Sequence, residues 1–144
     1  MDTKERILVS ACLLGVPCRY DGKSVPCEGV ICLKERAQLV PVCPEQLGGL
    51  ATPRTPAERR GEAVVTRDGR DVTAQYRRGA QEALRLARLF GCTKAILKSK
   101  SPSCGCGLIY DGSFSGKLVP GEGVTARLLR ENGVEVRTET DASR

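Results

Sequence analysis

"AILKSKSPSCGCG", Ala95 to Gly107, sets an apolar run of strand length directly against serines, cysteines and glycines. Ala95-Ile96-Leu97 reads as a buried strand. Small polar residues and glycines just beyond it let the backbone turn sharply and come close to a ligand, and thiolates there can hold a metal or act as nucleophiles. The same pattern occurs twice earlier in the chain. Ile7-Leu8-Val9 runs into Ser10-Ala11-Cys12, and Gln38-Leu39-Val40-Pro41-Val42 runs into Cys43-Pro44-Glu45.

Between these strands the pattern turns helical. Val30, Ile31, Leu33, Lys34 and Ala37 allow a short helix over 28–37. A longer one, capped by Asp71 or Thr73, repeats Tyr76, Ala80, Ala83, Leu84 and Ala87 at helical spacing until Gly91 stops it. A last helix over 125–132 closes at Gly133 and leads to the strand Val134-Glu135-Val136. Residues 48–61, with Pro53 and Pro56, read as an irregular loop over one end of the sheet. Residues 63–66 and 71–73 read as a small hairpin arm around Asp68-Gly69, and Leu108 to Phe114 as a further excursion. Strands alternating with helices predict an α/β chain: a single-domain, Rossmann-like layer fold with a mainly parallel sheet over residues 1–137 and a frayed tail over 138–144. In such a sheet ligands bind beyond the carboxyl ends of the strands.

The 144 residues, 40% hydrophobic and 28% charged, suffice for one core without disulfides. No apolar run reaches membrane-span length, and the charged opening Asp2-Thr3-Lys4-Glu5-Arg6 lacks a signal-peptide core, which places the protein in the cytoplasm. Eight cysteines in a reducing compartment point to metal, cluster or thiol chemistry. Histidine is absent, so proton transfer falls to Glu, Asp, Lys, Tyr or Cys. A net charge of +6 suggests an anionic partner. With no Trp, two Phe and three Tyr, a small anionic substrate is favoured over a stacked RNA track.

Cys12, Cys43 and Cys104 thus share one address, just past the ends of parallel strands. Three thiolates without histidine suit a zinc site or an iron–sulfur cluster. Paired Cys-x-x-Cys knuckles are missing, which favours a cluster held by three cysteines with one iron open to a ligand. Cys32 and Cys92 read as packing residues; Cys18, Cys27 and Cys106 stay open between packing and ligation. Glu45 and Ser101 belong to the same crevice, and Arg19, Arg54, Lys98 and Lys100 are candidate anion partners beside it. Gly48-Gly49, Gly105 and Gly121-x-Gly123 could cradle a phosphate, although turn formation is the simpler role.

"SACLLGVPCRYDG" (10–22), "VCPEQLGGLATPRTPAE" (42–58), "GRDVT" (69–73), "KSKSPSCG" (98–105), "IYDGSFSG" (109–116) and "GEGVTARLL" (121–129) together resemble the thiouracil desulfidase family, in order and over nearly the whole chain. The resemblance implies a non-redox desulfidase acting on thiolated uracil compounds such as 4-thiouracil and 4-thiouridine monophosphate. It would give the oxo base and hydrosulfide at a [4Fe-4S] cluster held by Cys12, Cys43 and Cys104, with Glu45 and Ser101 catalytic. The implied partner is a small thiolated nucleobase or nucleotide, with no membrane and no stable nucleic-acid complex. Two other classes compete: a structural zinc protein that binds RNA, and a cysteine persulfide carrier.

Overall fold

The structure is a computed structural model that describes residues 4–142. Strand β1 (Glu5–Ser10) carries Ile7, Leu8 and Val9 and passes into a 3-10 turn, Ala11–Leu14. The one-turn helix α1 (Glu28–Ile31) continues as a second 3-10 turn, Cys32–Glu35, into β2 (Ala37–Val42). A short turn of helix, α2 (Pro44–Leu47), follows β2 at once. Strands β3 (Ala57–Arg60) and β4 (Ala63–Thr66) precede α3 (Thr73–Phe90) and β5 (Lys94–Leu97). The chain closes with β6 (Cys106–Tyr110), β7 (Leu118–Glu122), α4 (Val124–Glu131), β8 (Glu135–Thr138) and α5 (Glu139–Ala142).

The central sheet has the order β2-β1-β5-β8, and every neighbouring pair in it is parallel. From β1 the chain moves outward to β2; from β5 it moves outward the other way to β8. The order therefore reverses between β1 and β5, which is where an open α/β sheet leaves a crevice beyond its strand ends. Because side chains alternate along a strand, the sheet buries two different cores. Leu8, Val40, Ala95 and Leu97 pack against Ala83, Leu84 and Ala87 of α3 and Ala126 and Leu129 of α4. Ile7, Val9 and Ile96 pack the other way, against Leu13, Val30 and Leu33. Leu8, Leu97 and Leu129 are fully buried, each contributing about 1.5–3 kcal/mol of apolar transfer.

Three expectations are corrected here. The hairpin arm exists with a different partner: β4 pairs antiparallel with β3, inside the segment expected to be irregular, and the return past Asp68-Gly69 keeps one bridge, Val65 to Asp71. The reason is local. Asp71 Oδ1 accepts the Thr73 N–H at 2.8 Å, so residues 71–73 are drawn into the start of α3 and cannot extend the strand. The expected tail from Thr138 is structured as far as Ala142, because Glu139 accepts hydrogen bonds from the Ser99 N–H and hydroxyl at 2.8 and 3.1 Å. Cys32 is exposed rather than packed; Val30 and Leu33 take the inward positions on either side of it. Cys92 lies in the core as expected.

Candidate active site

A cleft of about 450 Å³ opens over the ends of β1, β2 and β5. Cys12, in the turn after β1, is 8% exposed and belongs to the core beneath it; its carbonyl accepts the Val25 N–H at 3.0 Å, pulling the following loop back over the sheet. Cys43 precedes Pro44, the first residue of α2, where proline's fixed φ suits a helix start. Cys104 ends a tight turn closed by the Gly105 N–H donating to the Ser101 carbonyl at 2.8 Å. All three face the cleft, so residues 92 positions apart in the chain converge at the end of the sheet.

Cys18 faces the same cleft, 3% exposed. Its hydrogen bond with the Cys12 thiol raises its pKa, with burial adding to the rise and the Cys43 thiol opposing it; the net position is about 11. The Cys43 thiol is also held far above its ordinary range by its bond with Cys18 and by burial. Cys104 is raised chiefly by burial and next by the Glu45 charge, while the hydroxyls of Ser10 and Ser103 oppose the shift. Burial and their neighbours therefore disfavour the charged form of these thiols. Among the described residues no three His, Cys, Asp or Glu side chains close around a single ion. Four cysteines and no histidine line the cleft, an all-sulfur donor set of the kind that binds zinc or an iron–sulfur cluster. Cys106 is elsewhere, its thiol 3.9 Å from the Val136 carbonyl, and Cys27 packs against the second core.

Glu45 and Arg54 both line the cleft, their side chains 14% and 10% exposed and 3.9 Å apart. Burial raises the Glu45 pKa and the Arg54 charge opposes that rise. Arg54 also donates to the carbonyls of Cys18 (3.1 Å) and Ala51 (3.2 Å) and to Thr52 Oγ1 (3.0 Å), tying its own loop to the one that carries Cys18. Ser101 Oγ accepts two N–H groups, from Ser103 and Cys104, both at 3.1 Å. Its lone pairs are thereby used, and its O–H remains free to donate.

The expected anion partners separate into two groups. Arg54 and Lys98 are engaged within the protein, Lys98 Nζ lying 3.3 Å from Glu139. Arg19, weakly paired with Asp21 at 3.7 Å, and Lys100 line the cleft with charge to spare. No phosphate cradle forms at Gly121-x-Gly123, because the N–H groups of Thr125 and Ala126 both donate to the Ser103 carbonyl, at 2.8 and 3.1 Å. Four of the chain's five aromatic residues, Tyr20, Tyr76, Tyr110 and Phe114, line the cleft. Phe114 has a left-handed backbone (φ 57°), and its N–H donates to the buried carboxylate of Glu58 at 3.1 Å, which also accepts the Gly112 N–H at 3.0 Å. Sequence patterning could not locate these aromatics, since they come from three separate parts of the chain: the loop at Tyr20, helix α3, and the β6–β7 segment.

The fold and this cleft define an α/β protein with a thiol-lined, aromatic-walled crevice at its topological switch point. The chain belongs to the 2-thiouracil desulfurase family, whose model matches residues 7–141. It is similar to the solved structure of a [4Fe-4S]-dependent thiouracil desulfidase, TudS, at 51% identity and a TM-score of 0.91, over 96% of this chain and 93% of that one. It is 44% identical to the uncharacterized protein YbbK of Bacillus subtilis (strain 168), over 94% of this chain and 96% of that protein. Among the described residues no helix is long and apolar enough to cross a membrane.

Proposed function

We propose that this protein is a thiouracil desulfidase that exchanges the sulfur of a thiolated uracil for the oxygen of water without net electron transfer. The observation that carries the reading is Glu45: a desolvated carboxylate, held by Arg54, opening on the cleft that Cys12, Cys43 and Cys104 share. An all-sulfur donor set fits a [4Fe-4S] cluster, which those three cysteines would hold. Such a cluster supplies a Lewis-acidic iron for the soft thiocarbonyl sulfur.

The remaining steps fall to the protein's own side chains. Glu45 accepts a proton from water as the water oxygen adds to the thiocarbonyl carbon, since the chain has no histidine to do so. Arg54 fixes the carboxylate and balances its charge. Ser101, with both lone pairs occupied by N–H donors, acts as a donor that orients the reacting group rather than as a proton relay. The C–S bond then breaks and sulfur leaves as hydrosulfide, so water and thiouracil give uracil and hydrogen sulfide in balance. The aromatic walls suit a flat ring, and Arg19 and Lys100 suit the phosphate of a nucleotide substrate.

Protein purified without oxygen should contain iron and sulfide in cluster proportion and convert 2- or 4-thiouracil, or 4-thiouridine monophosphate, with no added reductant. Stoichiometric zinc in place of iron, or a demand for one equivalent of reductant per turnover, would overturn the reading.

A further inference from the structure

Tyr76 is 4% exposed, yet it lines the cleft. Its ring is packed with Val64 and Val72 in a small third core. No hydrogen bond reaches its hydroxyl from any described residue, and the oxygen is not among the atoms sealed from solvent. A buried tyrosine ordinarily satisfies its hydroxyl. Among the described residues nothing takes that hydroxyl, and the residue borders the cleft.

The position of the hydroxyl is built, not incidental. Tyr76 and Gly79 stand three residues apart and so share one face of α3. A Cβ on Gly79 would overlap the Pro44 carbonyl, and one on Gly48 would overlap the Gln75 carbonyl. Only glycine at both places lets α2 lie backbone to backbone on the turn that carries Tyr76. The helical turn bearing Glu45 is thereby docked against the helix that carries the phenol, and Glu45, Arg54, Cys43 and Cys104 line the same cleft as Tyr76. At neutral pH a tyrosine keeps its proton, so in this company it is a donor.

We propose that the Tyr76 hydroxyl donates a hydrogen bond to the oxygen that replaces sulfur, first as water and then as the new carbonyl of the product. The water oxygen accepts from Tyr76 while one of its protons points at the Glu45 carboxylate, so the two side chains fix both ends of the nucleophile. Tyr76 keeps its own proton throughout. This inference rests on the desulfidase reading and adds a catalytic residue to it.

The test compares ligands that differ at that one atom. In cluster-loaded Glu45→Gln protein, where thiouracil is not consumed at an appreciable rate, dissociation constants are measured for uracil and for the matching thiouracil, with and without Tyr76→Phe. The expected result is uracil binding weakened about 5–10-fold, thiouracil binding unchanged, and iron content unchanged. In the wild-type background Tyr76→Phe should lower kcat and leave KM for thiouracil in place. Equal shifts for both ligands, or no shift for either, would overturn the role, because a purely structural tyrosine does not distinguish oxygen from sulfur. Turnover by the wild-type protein is measured first: its absence removes the desulfidase reading, whereas turnover with equal shifts removes only this inference.

Discussion

Glu45 and Arg54 show what a side chain's surroundings add to its type. On the proposed mechanism Glu45→Gln removes the base and keeps the shape; turnover should fall about 10²–10⁴-fold while iron content stays the same. Near wild-type kcat with a full cluster would exclude Glu45 as the base. Arg54→Met leaves a desolvated carboxylate uncompensated and frees three carbonyl and hydroxyl partners. Loss of about 3 kcal/mol in chemical denaturation is expected, in the range for one partner removed from a buried pair. Arg54→Lys should recover only part of it, because one ammonium cannot span Cys18, Ala51 and Thr52 together. That Cys12, Cys43, Cys104 and Glu45 meet at the strand ends was legible in the sequence, because each lies within a short loop or turn after an apolar run. Arg54 read as a phosphate partner because a sequence displays a charge without its counter-charge. Tyr76 read as core because its spacing from Ala80 and Ala83 is helical, and the pattern is right about the ring and silent about the hydroxyl.

At the scale of elements, the contact between α2 and α3 decides where the second thiol and the carboxylate stand. Gly79→Ala should force the two backbones apart; the expected result is a loss of about 1–3 kcal/mol in stability, together with reduced iron retention after anaerobic reconstitution. Arg78→Ala, on the exposed face of the same helix, should stay within about 0.5 kcal/mol of wild type and keep its iron. Full iron and unchanged stability in Gly79→Ala would show that α2 can dock without the close approach. Helix α3 and strands β1, β2 and β5 were readable from periodicity. The strand over 57–60 was not, since Glu58-Arg59-Arg60 lacks an apolar alternation; Glu58 and Arg60 turn to the 109–116 excursion instead, Glu58 holding the backbone of Phe114 and Arg60 donating to the Gly112 carbonyl at 2.8 Å.

For the molecule as a whole, two largely aliphatic cores flank the sheet. Chelation of the cluster under air should therefore leave a folded chain with its helical circular dichroism intact and a lower Tm, because a group that binds only the native state stabilises it by mass action. Collapse of the helical signal on chelation would instead match a structural zinc protein, in which metal binding and folding are one event. The parallel order of the sheet, and hence the convergence of the three cysteines, followed from strands alternating with helices. How the walls of the cleft are assembled did not, because that depends on long-range packing. The loop that presents Cys104 has its own long-range dependence: the Ser103 carbonyl accepts the N–H groups of Thr125 and Ala126, and the Ser103 hydroxyl lies 2.7 Å from that of Thr125. A nascent chain that has left the ribosome through Cys104 but not through α4 holds its third thiol on an untethered loop. On the proposed ligation, a cluster inserted before α4 has formed would lack a fixed third anchor, so insertion is favoured once the residues through α4 are out of the ribosome.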